Sequence, residues 1–299
     1  LPAVPKVQYT QVNFIDVPNA VQSELRVQNT VELKMADEDY FPVLVANQIL
    51  GGSFGSYLNM NLREEHGYTY GARSYTGTDK YVSRFSASAS VRNAVTDSAI
   101  VETLKEINRI KTEKVDFEDL NNAKNKFAGD FVLKLESPST IANYALNIET
   151  NDLPKDFYET FLKKINAVTQ DDILRVANKY FKTDAMQIVV AGKGSEIAEN
   201  LENITYKGKT IPVFYFNKDG EKVEKPEYNK AVPEGVTVKT VYNNYIKAIG
   251  GKKAIDDGQT RYTPGGGTMD LKKAVIEKLA RDNELHFKTS EILISCGGK

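Results

Sequence analysis

The stretch Leu50-Gly51-Gly52-Ser53-Phe54-Gly55-Ser56-Tyr57-Leu58-Asn59-Met60-Asn61-Leu62-Arg63-Glu64-Glu65-His66-Gly67-Tyr68-Thr69-Tyr70-Gly71-Ala72 decides how this chain folds. A helix ends in two glycines, a short turn follows, and a second helix carries Leu62-Arg63. Gly67 stops that helix and an aromatic strand begins.

The pattern upstream supports this. Val7 to Val17 mixes β-branched and aromatic residues as a strand does, and a second strand is predicted from Ser23 to Val31. Asp37-Glu38-Asp39 opens the helix that runs through Phe41, Val45 and Ile49, with its acids in the first turn where the macrodipole favours them. Downstream, Thr69–Thr76 and Tyr81–Val91 form a hairpin turned at Asp79-Lys80. Phe85, Ala87, Ala89 and Val91 alternate with Arg84, Ser86, Ser88 and Ser90, so one face is buried and one is wet. Helices then follow. Ile100, Leu104 and Ile107 share a face, and Asp116 caps a long helix with Leu120, Ala123, Phe127 and Phe131 at helical spacing. Further helices open at Ser137 and Pro154, and Thr169 to Asp172 has the form of a capping box. Met186 to Ala191 closes the series as an apolar strand. Paired strands alternating with runs of helices predict an α+β fold, a mostly antiparallel sheet covered by helices on one face, with a C-terminal extension.

Bulk properties exclude several classes. The 299 residues suggest about two domains. The net charge of −1 gives no global field for nucleic acid, and no apolar run approaches the ~20 residues of a membrane span. The single Cys296 excludes an intrachain disulfide. The chain starts at Leu1 with no signal-peptide pattern, so it reads as processed or excised.

The run Leu-Gly-Gly…Leu-Arg-x-x-x-Gly-x-x-Tyr, from Leu50 to Tyr70, strongly resembles the C-terminal, non-catalytic half of the insulinase/pitrilysin-type zinc peptidases. The resemblance covers about residues 7 to 201 and implies that residues 1–205 are a half-domain of this kind. It implies that Arg63 and Tyr70, seven residues apart, hold the substrate, Arg63 on a peptide carbonyl and Tyr70 at the oxyanion. Asn59 and Asn61 lie near the same site, facing either substrate or solvent, and are the substrate-binding candidates. The family's zinc signature, His-x-x-Glu-His, is missing. Leu62-Arg63-Glu64-Glu65-His66 repeats only its last two letters, and His286 is far away. The resemblance therefore implies no cofactor in this chain, zinc in a partner half or subunit, peptide as substrate, and no peptidase activity by the chain alone. The other role it allows is a structural or assembly subunit without peptide turnover. Bacterial relatives of this sort point weakly to the periplasm or cell envelope.

Residues 206–253 form an extension of unassigned role, with a short strand at Ile211–Phe216 and a helix at Val238–Ile249. From Ala254 to Lys299 the chain resembles a truncated piece of a fold-type-I, pyridoxal-phosphate-dependent aminotransferase. The resemblance rests on Tyr262-Thr263-Pro264, Gly265-Gly266-Gly267 and Ser295-Cys296-Gly297-Gly298. The cofactor lysine is absent from this piece, so transamination is excluded, and the stretch reads either as a junction between two reading frames or as a native helix-strand extension whose likeness is accidental.

Overall fold

The computed structural model describes residues 7–228, 233–257 and 267–294. The opening Leu1–Pro5, the loop residues Tyr262–Gly266 and the closing Ser295–Lys299 therefore lie outside the described residues, together with the readings made on them. The chain divides into two compact units, Leu1–Asn229 and Lys230–Lys299.

The first unit is built on a seven-stranded sheet. Its strands are β1 (Gln11–Asp16), β2 (Gln22–Val31), β3 (Thr69–Thr76), β4 (Ser83–Arg92), β5 (Gln187–Gly192), β8 (Val213–Phe216) and β9 (Lys222–Val223), with β6 (Thr205–Tyr206) and β7 (Lys209–Thr210) forming a separate pair. The order is β3-β4-β2-β5-β1-β8-β9. β1 lies parallel to β5 and β8, and the other neighbours are antiparallel, so the sheet is mostly antiparallel as expected. The composition change after Leu201 does not mark the end of this body, because β8 completes the sheet beside β1. The division falls at residue 229 instead of 205.

Alternation decides which way each strand faces. Leu25, Val27, Phe85, Ala87, Ile188 and Val190 are buried, while Arg26, Arg84, Ser88 and Val189 between them are exposed or half-buried. The buried side packs on helices α1 (Tyr40–Asn47), α3 (Thr96–Thr112), α7 (Gln170–Tyr180) and α8 (Gly194–Glu202). Helices α4 (Phe117–Leu135), α5 (Pro138–Thr150) and α6 (Phe161–Ala167) follow α3 in the chain, and Tyr40, Phe41, Phe157 and Phe161 tie α6 to α1 through ring contacts.

Local signals explain most boundaries. Thr169 and Asp172 form the expected capping box of α7. Asp79 accepts from the N–H groups of Tyr81 and Val82 and shapes the β3–β4 turn. Two helix starts differ from expectation. Asp116 stands at the N-cap of α4 without a side-chain cap bond. Asp39 stands at the N-cap of α1 and does not cap it either, and no acid lies in that first turn. Its carboxylate accepts instead from Arg175, Lys179 and Tyr180, which binds α1 to α7.

The second unit consists, among its described residues, of α9 (Val238–Ala248), α10 (Gly251–Asp256), α11 (Met269–Asn283) and a short 3-10 turn at Thr289–Glu291. Thr237 and Thr240 cap α9, and Gly250 takes the left-handed conformation between α9 and α10. No helix among the described residues is long and apolar enough to cross a membrane.

Candidate functional site

The site is assembled where the double-glycine turn meets the edge of the sheet. α1 runs on as a π turn over Gln48–Gly52 and ends at Gly51-Gly52. Gly51 lies so close to β3 that a Cβ there would stand 2.3 Å from the backbone nitrogen of Ser74. Only glycine permits that approach. A second short helix, α2 (Tyr57–Asn59), continues as a π turn over Met60–Glu65 and carries Arg63. Leu62 anchors this turn in the core with no exposed surface. Gly67 reverses the chain at a φ of 61°, its N–H donating to the Arg63 carbonyl, and Tyr68 N–H donates to the Leu62 carbonyl. Arg63 and Tyr70 are thereby held at the same end of β3.

Arg63 lays its guanidinium over the Phe54 ring, 4.7 Å from the centroid, and its Nε meets Glu64 Oε1 at 3.3 Å. Tyr70 is 89% exposed. The register of β3 against β4 slips between Thr69 and Ala72, so Tyr70 and Gly71 form an irregularity at the start of the strand. No hydrogen bond joins Arg63 to Tyr70 among the described residues.

The two asparagines make their bonds within the protein. Asn59 is 2% exposed, which removes solvent from its choices. Its Nδ2 donates to the Phe54 carbonyl and its Oδ1 accepts from Ala72 N–H, so it brackets the Phe54 loop to β3. Asn61 turns toward α3, donating from Nδ2 to Glu102 and Glu106, and its Oδ1 is buried without a partner. Burial pushes the Glu102 carboxyl up, but hydrogen bonds from Lys105 and Asn61, with attraction from Lys105 and His66, hold it below its ordinary value.

Beside this helix lies a hollow of about 500 Å³ lined by Tyr57, Asn61, Glu64, Glu106, Arg109 and Asp119, which sequence reasoning did not find. Arg109 covers the Tyr57 ring at 4.1 Å and the Tyr57 hydroxyl bonds Asp119. Burial and then the Asp119 charge push that hydroxyl above its ordinary pKa. The contributing residues come from three separate segments, so no local spacing announces the hollow.

The donor set does not fit zinc. Position 62, where a first ligand would stand, is a buried leucine. His66 stacks on Tyr68 with its Nε2 3.9 Å from Glu102. Among the described residues no group of three or more His, Cys, Asp or Glu is placed to hold a metal ion.

Comparison with known proteins agrees with this geometry. Residues 10–127 match the family model described as the peptidase M16 inactive domain. A peptidase M16 inactive domain from Pseudomonas fluorescens superposes with a TM-score of 0.58 at 25% identity, over 64% of this chain and 47% of that one. A protease from Helicobacter pylori superposes with the same score at 18% identity, over 63% of this chain and 45% of that one. The chain thus spans less than half the length of either. A separate, short likeness of 52 residues is 48% identical to an aspartate aminotransferase of Pinus pinaster. It covers 17% of this chain and 11% of that enzyme, too little to carry an activity. Within the first unit, residues 10–127 are thus similar to the inactive domain of the peptidase M16 family, and the sheet with its helices has the fold of the solved M16 inactive domain.

Proposed function

We propose that this unit is the substrate-holding, non-catalytic half of a zinc peptidase, binding extended peptide and completing the chamber of a zinc-bearing half supplied by another segment or subunit. The observation that carries the reading is that Arg63 and Tyr70 lie at one end of an edge strand, where the Tyr70 ring is no part of the core. A tyrosine 89% exposed adds almost nothing to a core, and its hydroxyl has no partner among the described residues. Arg63 is held by the Phe54 ring and, at its Nε, by Glu64, which leaves the terminal groups of its planar fork for a ligand. Such a fork suits a peptide carbonyl, and the tyrosine hydroxyl suits an oxygen that gains negative charge. Zinc, bound in the other half, would supply the activated water.

The experiment combines this chain with a zinc-bearing half from the family and follows turnover of a quenched fluorescent peptide. Tyr70→Phe should lower kcat about ten- to a hundredfold, while Arg63→Ala should raise KM, both with unchanged circular dichroism. Unchanged turnover in both variants would overturn the assignment. Stable assembly with the other half but no Arg63-dependent peptide binding would favour a structural subunit instead.

A further inference from the structure

The face of the sheet turned away from the helices has a pattern of its own. Strand register aligns Arg73, Ser88, Arg26 and Val189 in one row across β3, β4, β2 and β5. The next row holds Tyr75, Ser86, Gln28 and Gln187. On this face β4 contributes Ser86, Ser88 and Ser90, the smallest polar side chains, while β3 and β2 on either side contribute Arg73, Tyr75, Arg26 and Gln28. A central strand of serines between strands of long side chains makes a trough that runs along β4, and Arg84 stands at its far end.

Charge along the trough is predominantly positive. Arg26, Arg73 and Arg84 are exposed, and no carboxylate pairs with any of them among the described residues. The one acid within β1 to β5 on this face is Glu24, which accepts from the Ser90 hydroxyl, and Asp79 of the β3–β4 turn lines the hollow at the Arg84 end, where its carboxylate is engaged by the N–H groups of Tyr81 and Val82. Arg26 and Arg73 flank Ser88 from adjacent strands, so their Cα atoms stand about 10 Å apart and both forks reach the space above that serine. Arg84 lies four residues along β4, about 13 Å away. Around it opens a hollow of about 750 Å³ lined by Gln28, Thr30, Tyr75, Asp79, Arg84 and Gln187. The Gln28 Oε1 there is buried and has no hydrogen-bond partner. A buried acceptor without a donor is costly, and a peptide N–H laid in the trough would satisfy it.

We propose that this trough binds an extended acidic peptide, with one carboxylate between Arg26 and Arg73 and a second, four residues along the chain, at Arg84. The proposal rests on the substrate-holding reading above and gives it a substrate class. Extension follows from the distance: four residues of extended chain span about 13 Å, whereas four residues of helix span about 6 Å. Selectivity follows from three guanidinium forks whose preferred partners are carboxylates.

Fluorescence anisotropy of the full chain with a labelled 12-residue peptide tests this. The probe carries two glutamates four residues apart in a Thr/Val/Pro background, and control peptides carry glutamine or lysine at both places. The glutamate peptide should bind about tenfold more tightly than the glutamine peptide, and salt should erase the advantage. R26Q and R73Q should each remove most of that advantage with unchanged circular dichroism, and S88W should weaken both peptides by filling the trough. Equal affinity of glutamate and glutamine peptides would overturn the acidic preference. If that shared binding still depended on Arg63, the substrate-holding reading would stand without it. No binding of any peptide would sink both. Tighter, equally arginine-dependent binding of single-stranded DNA would overturn the peptide assignment.

Discussion

At the scale of single residues, Asp39 is the most telling position. Its sequence context promised an acid in the first turn of α1, yet it stands before that turn and its carboxylate is spent on three donors from α7. Burial raises a carboxyl pKa, but the hydrogen bonds from Lys179, Arg175 and Tyr180 outweigh it and hold Asp39 at about 2. The folded value lies below the ordinary 3.8, so the ionised form is favoured by folding. Its stabilisation is complete above the unfolded pKa and disappears as pH falls through the folded one. The gap corresponds to about 2 kcal/mol, reduced to about 1–2 because Arg175 and Lys179 are half-exposed and screened by solvent. Asp39→Asn should therefore cost about that much at pH 7, and the difference from the parent should shrink between about pH 4 and pH 2. Urea unfolding of both proteins across that range checks the sign. A difference that widened on acidification would mean that burial, and not the donors, controls this group.

At the scale of elements, the edge of β3 explains what the double-glycine turn is for. An edge strand exposes unpaired N–H and C=O groups and invites pairing with other chains. Here Asn59 takes the N–H of Ala72, Asn47 donates to the carbonyl of Ser74, and Gly51 closes over Ser74 nitrogen. Strand addition at this edge is thus blocked over Ala72–Ser74, and β4, flanked by β2 and β3, has no free edge either. Asn59→Leu should leave the Ala72 N–H buried without a partner and free the Phe54 loop from β3. It should lower stability by about 1–3 kcal/mol and raise the tendency to self-associate, read from urea midpoints and light scattering. A residue that merely faced substrate would show neither effect. The period of two in β4, the capping box at Thr169 and the turn at Asp79 were legible locally because each depends on neighbours within four residues. The roles of Asn47, Asn59 and Asp39 were not, because each depends on a partner 13 to 141 residues away. Arg63 and Tyr70 were singled out only through the spacing of a known motif, whereas the arginine row needed strand register, which no single segment contains.

At the scale of the whole molecule, the question is where the folded body ends. Composition changes after Leu201, and a boundary near 205 looks natural in the sequence. β8 overrides it by pairing in parallel with β1, about two hundred residues upstream. Parallel pairing at that separation leaves no local signature, because the residues that specify it lie in distant segments. Tyr215 then packs edge-on against Phe14 at 5.8 Å and bonds Glu202, so β8 also seals the end of the core next to α8. The two ends of this stretch predict opposite results on truncation. A chain ending at Asn229 keeps every strand of the sheet and should unfold in one transition near the midpoint of the first unit in the full chain. A chain ending at Leu201 exposes one edge of β1 and uncovers Phe14, a residue with no exposed surface in the fold. Losing a buried aromatic contact of this kind costs about 3–5 kcal/mol, enough to bring a domain of ordinary stability close to unfolding. Thermal melts of the two chains by circular dichroism decide the matter. Equal midpoints would make β8 an ornament of the sheet. A sharp fall only in the shorter chain would make it part of the half-domain, and any pairing with a zinc-bearing half would then require the residues through β9.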